Sequence, residues 1–336
     1  ELLYVIDVPA TMTGNGLILE VNYRDRKKDG EWGKPKSQRL QRQVIPALPE
    51  QADREIITLL AGAKEQFGNS YFYNSDSQYD HIPSTFRITG YLEQVLIPQI
   101  CRTGRTRLRL QNNGEDWAAI AWDDGPPWEF WVDVRHNEKA GEYALTGVLR
   151  RNDDEMELSR PVMLLSSGFF FTREFAARLA HRDAFDWILF FRKQGWLNVP
   201  GAQADELLAE ILKASSLPHL SLPAEMQYQE VTIAPRPCLT IKAPPQRGFG
   251  TEKLRGILSF DYGGKMVGSA DQNRGVFDPK ERQLLLRDQV SEQAAAQQLQ
   301  GLGWRYKRPD YYDREARWEL LPSKLPRIVR DLLLSG

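Results

Sequence analysis

The chain has 336 residues, 41% apolar and 26% charged, with nine Trp and a formal net charge of −1. That composition excludes a disordered chain and supplies apolar material for sizeable cores. A net charge near zero excludes a general attraction to polyanions, so any electrostatic role must come from local segregation of charge.

In chain order, "LLYVIDVP" and "GLILEVNYR" read as paired strands around a turn-rich "ATMTGNG". In the second, Leu17, Leu19, Val21 and Tyr23 alternate with Ile18, Glu20 and Asn22, which predicts one apolar and one mixed face. Asp29-Gly30 marks a hairpin turn, because Gly tolerates the positive φ such turns need. A helix follows with Ile56, Leu59, Leu60 and Ala63 on one stripe, and another through "TGYLEQVLIPQI", bent or ended near Pro98. From "TRLRLQ" to about Leu165 the pattern is a β-meander. It includes an expected hairpin with "DDGPP" at its tip and Trp128, Phe130, Val132 and Val134 on one face.

Helices are predicted over "REFAARLAHRDAFDWILFFRKQG", the first of them buried at its end, and over "ADELLAEILKAS". Pro-rich "LPHLSLPAE" and "APRPCLTIKAPPQRG" read as linkers. Then come a strand "KLRGILSFDYGG" and a helix over "FDPKERQLLLRDQVSEQAAAQQLQGLG" capped by Asp278, with Pro279 and Glu281 after it. A short strand "RWELL" leads to a closing helix striped by Leu325, Ile328, Val329, Leu332 and Leu333. The sum is a mixed, multi-domain α+β protein of β-hairpins and meanders with packed helices. Its expected divisions are 1–98, with a basic hairpin at 21–43; 99–235, a meander followed by helices; and 236–336, an α/β domain.

Charge is segregated along the chain. Val21–Gln43 holds eight Lys and Arg against three acids, with Trp32 among them. Arg102, Arg105, Arg107 and Arg109 follow with no acid between them, and the strand-like "RTRLRLQ" aims Arg105, Arg107 and Arg109 together. Glu115–Glu157 reverses the sign, with twelve acids against four bases. Lys and Arg neutralise phosphates and release counterions, and a Trp can stack or wedge. Candidate nucleic-acid contacts are therefore Arg24, Arg26, Lys27, Lys28, Trp32, Lys34, Lys36, Arg39, Arg105, Arg107 and Arg109, although a hairpin end is also commonly charged only to face water. Trp122, Trp128 and Trp131, set among acids, are candidates for a protein interface or for core.

Catalytic chemistry is mostly excluded. Gly33-Lys34 precedes Pro35 and Gly264-Lys265 precedes Met266, so neither has the hydroxyl that a phosphate-binding loop places on Mg²⁺. "HRD" (His181–Asp183) and "DYG" (Asp261–Gly263) resemble kinase motifs, but Ile188 stands where the Asn belongs. The four His are scattered without metal-ligand spacing, and no Gly-x-Ser-x-Gly elbow is present. Asp123, Asp124 and Glu129 form an oxygen set of the kind that holds Mg²⁺, or a solvated turn. Cys101 and Cys238 are too few for a disulfide framework, which fits a reducing cytoplasm, and no apolar run approaches a membrane span.

"LSFDYGGKMV", "RQLLLRDQVSEQAAAQQLQGLGW" and "WELLPSKLPRIVRDLLLSG" together resemble the region preceding the motor in bacterial Swi/Snf-type helicases. The matching positions are Leu258, Phe260 and Tyr262 on a strand, then Arg287, Asp288 and Glu292 on a helix. "LLYVID" with "LEVNYRDRKKDGEWGKPK" is similar to the opening of such proteins. The resemblance implies a non-catalytic accessory region, expected to be a piece of a longer chain, with ATP and Mg²⁺ confined to the missing motor. Implied partners are duplex DNA, the protein's own carboxy-terminal motor domains, and RNA polymerase or another protein, with no membrane. The acidic block would then cover the motor's basic groove. Alternatives are a protein-interaction scaffold docking through the acidic Trp-rich hairpin and a metal-dependent nuclease.

Overall fold

The computed structural model describes residues 1–37, 39–62, 81–111, 117–180, 184–214, 218–243, 253–308 and 316–334. The fold is mixed α+β, with several small sheets and separate helices. Contacts divide the chain into two units, neither continuous in sequence. One comprises Glu1–Asp133, Leu145–Leu197 and Pro218–Ser221; the other Val134–Ala144, Asn198–Leu217 and Leu222–Gly336. The division expected at residue 98 falls inside the helix Tyr91–Arg102, within the first of these. The one expected at 235 immediately precedes the strand Arg236–Lys242, within the second.

The first unit is built on a six-stranded sheet ordered Lys36–Ser37, Leu17–Tyr23, Leu2–Asp7, Thr106–Arg109 and Trp117–Ala119, with Thr85–Ile88 also pairing Leu17–Tyr23. Leu2–Asp7 runs antiparallel to Leu17–Tyr23 and parallel to Thr106–Arg109, so it is a central strand. A strand covered on both faces needs a continuous apolar run, and "LLYVI" supplies it: Leu3, Tyr4, Val5 and Ile6 are all buried. The same covering buries Ile18 and Asn22, so the predicted mixed face of Leu17–Tyr23 is not solvated. Ile56, Ile57 and Leu60 of the helix Gln51–Ala61 and Leu96, Ile97 and Ile100 of the helix Tyr91–Arg102 form one core with Tyr4, Ile6, Leu17 and Leu19. Each such side chain removed from water contributes about 1.5–3 kcal/mol.

In the second unit, Leu254–Tyr262 pairs with Arg236–Lys242, Arg317–Leu320 and Lys265–Gly268. Its apolar side holds Phe260, Tyr262, Trp304, Trp318, Leu320 and Ile328 in one cluster. Gly256 is required there, because a Cβ at that position would lie 2.7 Å from the Trp304 ring. The six residues behind the helicase resemblance belong to this unit, and four of them interlock. Tyr262 donates its hydroxyl hydrogen bond to Glu292 at 2.6 Å while accepting from the Asp288 amide at 2.9 Å. Arg287 grips both oxygens of Glu292, at 2.9 and 2.5 Å, and Asp288 caps the helix Gln289–Gly301 through the Ser291 amide. Leu258 and Phe260 are buried in the core beneath them.

Several expected elements are built otherwise. "VPATMT" is a short helix, started by Asp7 accepting the Ala10 amide with Pro in its first turn, where its missing N–H costs nothing. The helix Tyr91–Arg102 continues four residues past Pro98. Ala121–Trp122 pairs in parallel with Phe175–Arg178 rather than closing a hairpin with Glu129–Asn137. "FAAR" is therefore strand, and the helix begins only at Phe185, with Leu189 and Phe190 exposed rather than buried. Both supposed linkers contain paired strands, His219–Ser221 and Arg236–Lys242. Gly275–Asp278 and Gln283–Leu286 form a hairpin, so the helix cap is Asp288, while Asp278 accepts the turn amide of Lys280. Ala63, "HRD" at 181–183, Glu115, Asp116, and the side chains of Leu332 and Leu333 lie outside the described residues.

Candidate nucleic-acid interface

The basic segment is a hairpin of the first unit. Tyr23 pairs with Lys36 and Asn22 with Ser37, and a bridge joins Arg26 to Trp32. The tip turns over Lys27–Gly30, closed by the Gly30 amide on the Lys27 carbonyl, with Gly30 at φ +88 as the sequence predicts. Trp32 is 41% exposed, with the Arg24 guanidinium 4.7 Å and the Arg26 guanidinium 6.0 Å from its ring. Arg24 also holds Glu1 at 2.6 Å, and Arg26 donates to the Gly30 carbonyl. The indole thus orders two cations, an attraction of about 0.5–1 kcal/mol each when exposed. Lys27, Lys28 and Arg39 are exposed and have no carboxylate partner among the described residues, whereas Lys36 has an open pair with Asp25 at 3.8 Å. Lys34 is exposed on the same arm.

The strand arginines are placed differently. Thr106 and Leu108 are buried, so the alternation is real. Two of the three guanidiniums are nevertheless held by acids. Arg105 binds Asp53 through two hydrogen bonds of 2.8 Å, and Arg109 bridges Asp7 at 2.9 Å and Glu20 at 2.5 Å. Burial works against both charges, but these carboxylates outweigh it and raise the guanidinium pKa values further. Among the described residues Arg107 donates to the carbonyls of Gly104 and Thr106 and to no acid. Burial, and then the neighbouring Arg24 charge, lower its pKa, with Glu1 opposing them.

Between the hairpin and the helix Gln51–Ala61 lies a cleft of about 1020 Å³. Trp32, Tyr23 and Arg39 line one part of it; Leu48, Asp53 and Arg105 line another. Asp53 is 2% exposed and also accepts the Tyr4 hydroxyl at 2.6 Å. Burial, followed by the hydrogen bond and charge of Asp53, pushes the Tyr4 hydroxyl far above its ordinary range. This Tyr4–Asp53–Arg105 triad ties the helix Gln51–Ala61 to the central strand Leu2–Asp7 and to the start of Thr106–Arg109. Sequence reasoning passed over Asp53, although a signal existed: it shares a helical stripe with Ile56, Ile57 and Leu60, and a carboxylate on an apolar stripe requires a partner.

The aromatic set does not form an open face. Trp128 is 4% exposed, lies edge-on to Phe170 and carries the Arg151 guanidinium 4.5 Å from its ring. Trp122 sits between Arg102 and Arg178, at 5.8 and 5.7 Å, and Trp131 stacks on His219 at 4.8 Å. Both are half-buried.

The acids beside them are neutralised in place. Asp123 pairs with Arg151 at 2.6 Å, Asp124 with Arg102 at 2.5 Å and Asp133 with Arg150 at 2.7 Å. Burial alone would raise the Asp123 carboxyl, but the Gly125 amide and Arg151 hold it below the usual range; Arg102 does the same for Asp124. Carboxylates engaged by arginines make poor ligands for Mg²⁺, and no cluster of three or more metal-ligating side chains occurs among the described residues. No described helix is long and apolar enough to cross a membrane. Compared with known proteins, the chain matches no family model, no curated protein and no solved structure.

Proposed function

We propose that this chain is a non-catalytic accessory region of a Swi/Snf-type translocase and that it contacts duplex DNA through the basic hairpin. The observation that carries the DNA contact is the group Lys27, Lys28 and Arg39, exposed without carboxylate partners among the described residues on the arm that presents Trp32. The interlocking of Tyr262, Arg287, Asp288 and Glu292 supports the assignment to the helicase class, since the residues of the resemblance act as one structural unit. ATP and Mg²⁺ would act in the motor, with which this region would share its nucleic acid. The arginine-clamped indoles favour this reading over docking through the Trp-rich strands.

Fluorescence anisotropy of a labelled duplex across a salt series tests the contact. Each Lys or Arg neutralising a phosphate adds about one to the slope of log affinity against log salt. The variant K27E/K28E/R39E should lower that slope by about three and weaken binding at low salt. Absence of binding by the wild-type chain at low salt would leave the hairpin a solvated loop and defeat the proposal.

A further inference from the structure

A second cleft of about 790 Å³ lies elsewhere in the first unit, away from every residue of the basic hairpin. Three polypeptide segments meet around it: the turn after the helix Val8–Thr13, the start of the helix Tyr91–Arg102, and the turn following Met163–Leu165. The helix Phe185–Gln194 adds Phe185, Leu189 and Arg192, which at spacings of four and three share one helical face.

Two polar groups in this lining are unaccounted for. The Arg192 Nη1 is inaccessible to solvent and has no hydrogen-bond partner among the described residues, and the same is true of the Ser167 hydroxyl. Gln94, also in the lining, spends its side-chain amide on the Ser167 carbonyl at 2.7 Å, which fixes that turn without satisfying the hydroxyl. The lining contains one acid, Glu93, whose carboxylate accepts the Leu17 amide at 3.2 Å and makes no ion pair with Arg192. Burial lowers the Arg192 pKa and no opposing charge restores it. A buried polar atom left unpaired costs about 1–3 kcal/mol, and more when charged, and a water or ligand held in the cleft would offset that cost. The helix Tyr91–Arg102 opens at Gly90, φ +58, with no side chain capping its first amides, and Glu93 in its first turn offsets part of the positive end of its dipole.

We infer that this cleft binds a small ligand through an oxyanion head, a phosphate or carboxylate, held by the Arg192 guanidinium and the Ser167 hydroxyl. A planar guanidinium matches the two oxygens of such a head. Phe185, Leu189 and the exposed ring of Tyr91 supply an apolar wall for the ligand's body. The volume falls within the range of small-molecule sites. The site is independent of the hairpin's role.

Isothermal titration of the full chain with inorganic phosphate, adenosine monophosphate and benzoate separates the head from the body it travels on. At least one should bind with a Kd of about 1 mM or tighter. Arg192→Met should weaken that ligand at least about tenfold, while its unfolding midpoint stays level or rises by a few degrees, because an uncompensated charge has been removed. A structural arginine would behave oppositely, its loss lowering the midpoint with binding unchanged. Should Arg192→Met not fold, Ser167→Ala serves in its place and should weaken the same ligand about threefold or more. No binding by the wild-type chain at millimolar concentration, or undiminished binding in the variant that folds, overturns the inference.

Discussion

The hairpin end and the strand behind it carry the same kind of charge and use it in opposite ways. Lys27, Lys28 and Arg39 face water without acidic partners among the described residues, while Arg105 and Arg109 are gripped by Asp53, Asp7 and Glu20. Along the sequence both segments read as runs of positive charge. In three dimensions the acids that neutralise the strand come from 52, 102 and 89 residues away. A charge run therefore fixes where cations are, and only the fold decides which of them still have a field to offer.

The sharpest difference between the two sets should appear in stability. Asp53→Ala leaves Arg105 partly buried beside a lost partner and removes the acceptor of the Tyr4 hydroxyl. Breaking a buried pair from one side costs about 3–5 kcal/mol. Urea unfolding followed by Trp fluorescence should show a loss of that size, and a change under about 1 kcal/mol would mean that the pair is solvated. Glu292→Ala is the matching test in the second unit. The side chains of Arg287 and Glu292 are 5% and 9% exposed, so a loss of about 3–5 kcal/mol is again expected. Tyr4→Phe removes only the hydroxyl donor to a charged acceptor and should cost less, about 1.5–3 kcal/mol.

Alkaline pH probes the same networks without mutation. Burial, then the hydrogen bond to Glu292, pushes the Tyr262 hydroxyl from its ordinary 10.0 up to about 12. Between these values the unfolded chain has released a proton that the folded chain retains, so stability falls as pH rises. The contribution is complete below pH 10.0 and is lost through about 12. Chemical denaturation should show that decline, and Tyr262→Phe should remove part of it. Tyr4 declines in the same sense, so the slope in Tyr262→Phe should shrink rather than vanish. An unchanged slope would show that the Tyr262 proton is not held by Glu292.

How far the fold could be read from residues follows from the range of the interactions. Local signals carried through: the strand Leu17–Tyr23, though not its alternation, the Gly30 turn, the stripe of Ile56 and Leu60, and the common face of Trp128, Phe130, Val132 and Val134. Elements decided by distant partners did not. "FAAR" is helical by propensity and becomes strand because Ala121–Trp122 and Phe169–Phe171 lie on either side of it. The Pro-rich stretches become strands for the same reason. The candidate site divides likewise. The hairpin cations were visible as a run, but the neutralisation of Arg105 and Arg109 and the burial of Trp128 are tertiary facts. Arg192 gave no sequence signal, since one arginine in the last turn of a helix is ordinary.

The smallest effect on stability belongs to the hairpin, and it is the most informative about function. Replacing Lys27, Lys28 and Arg39 by Glu removes no charge partnered among the described residues, so stability should move by less than about 0.5 kcal/mol. In the same protein, the salt slope of duplex binding should fall by about three. Arg109→Gln should do the reverse, destabilising the chain while leaving the salt slope of the folded fraction within about one of wild type. If instead Arg109→Gln flattened the slope and the triple variant did not, the phosphates would be meeting the strand, and its ion pairs with Asp7 and Glu20 would have to open on binding. The two variants, measured under the same salt series, therefore distinguish a duplex contact through the hairpin from one through the strand.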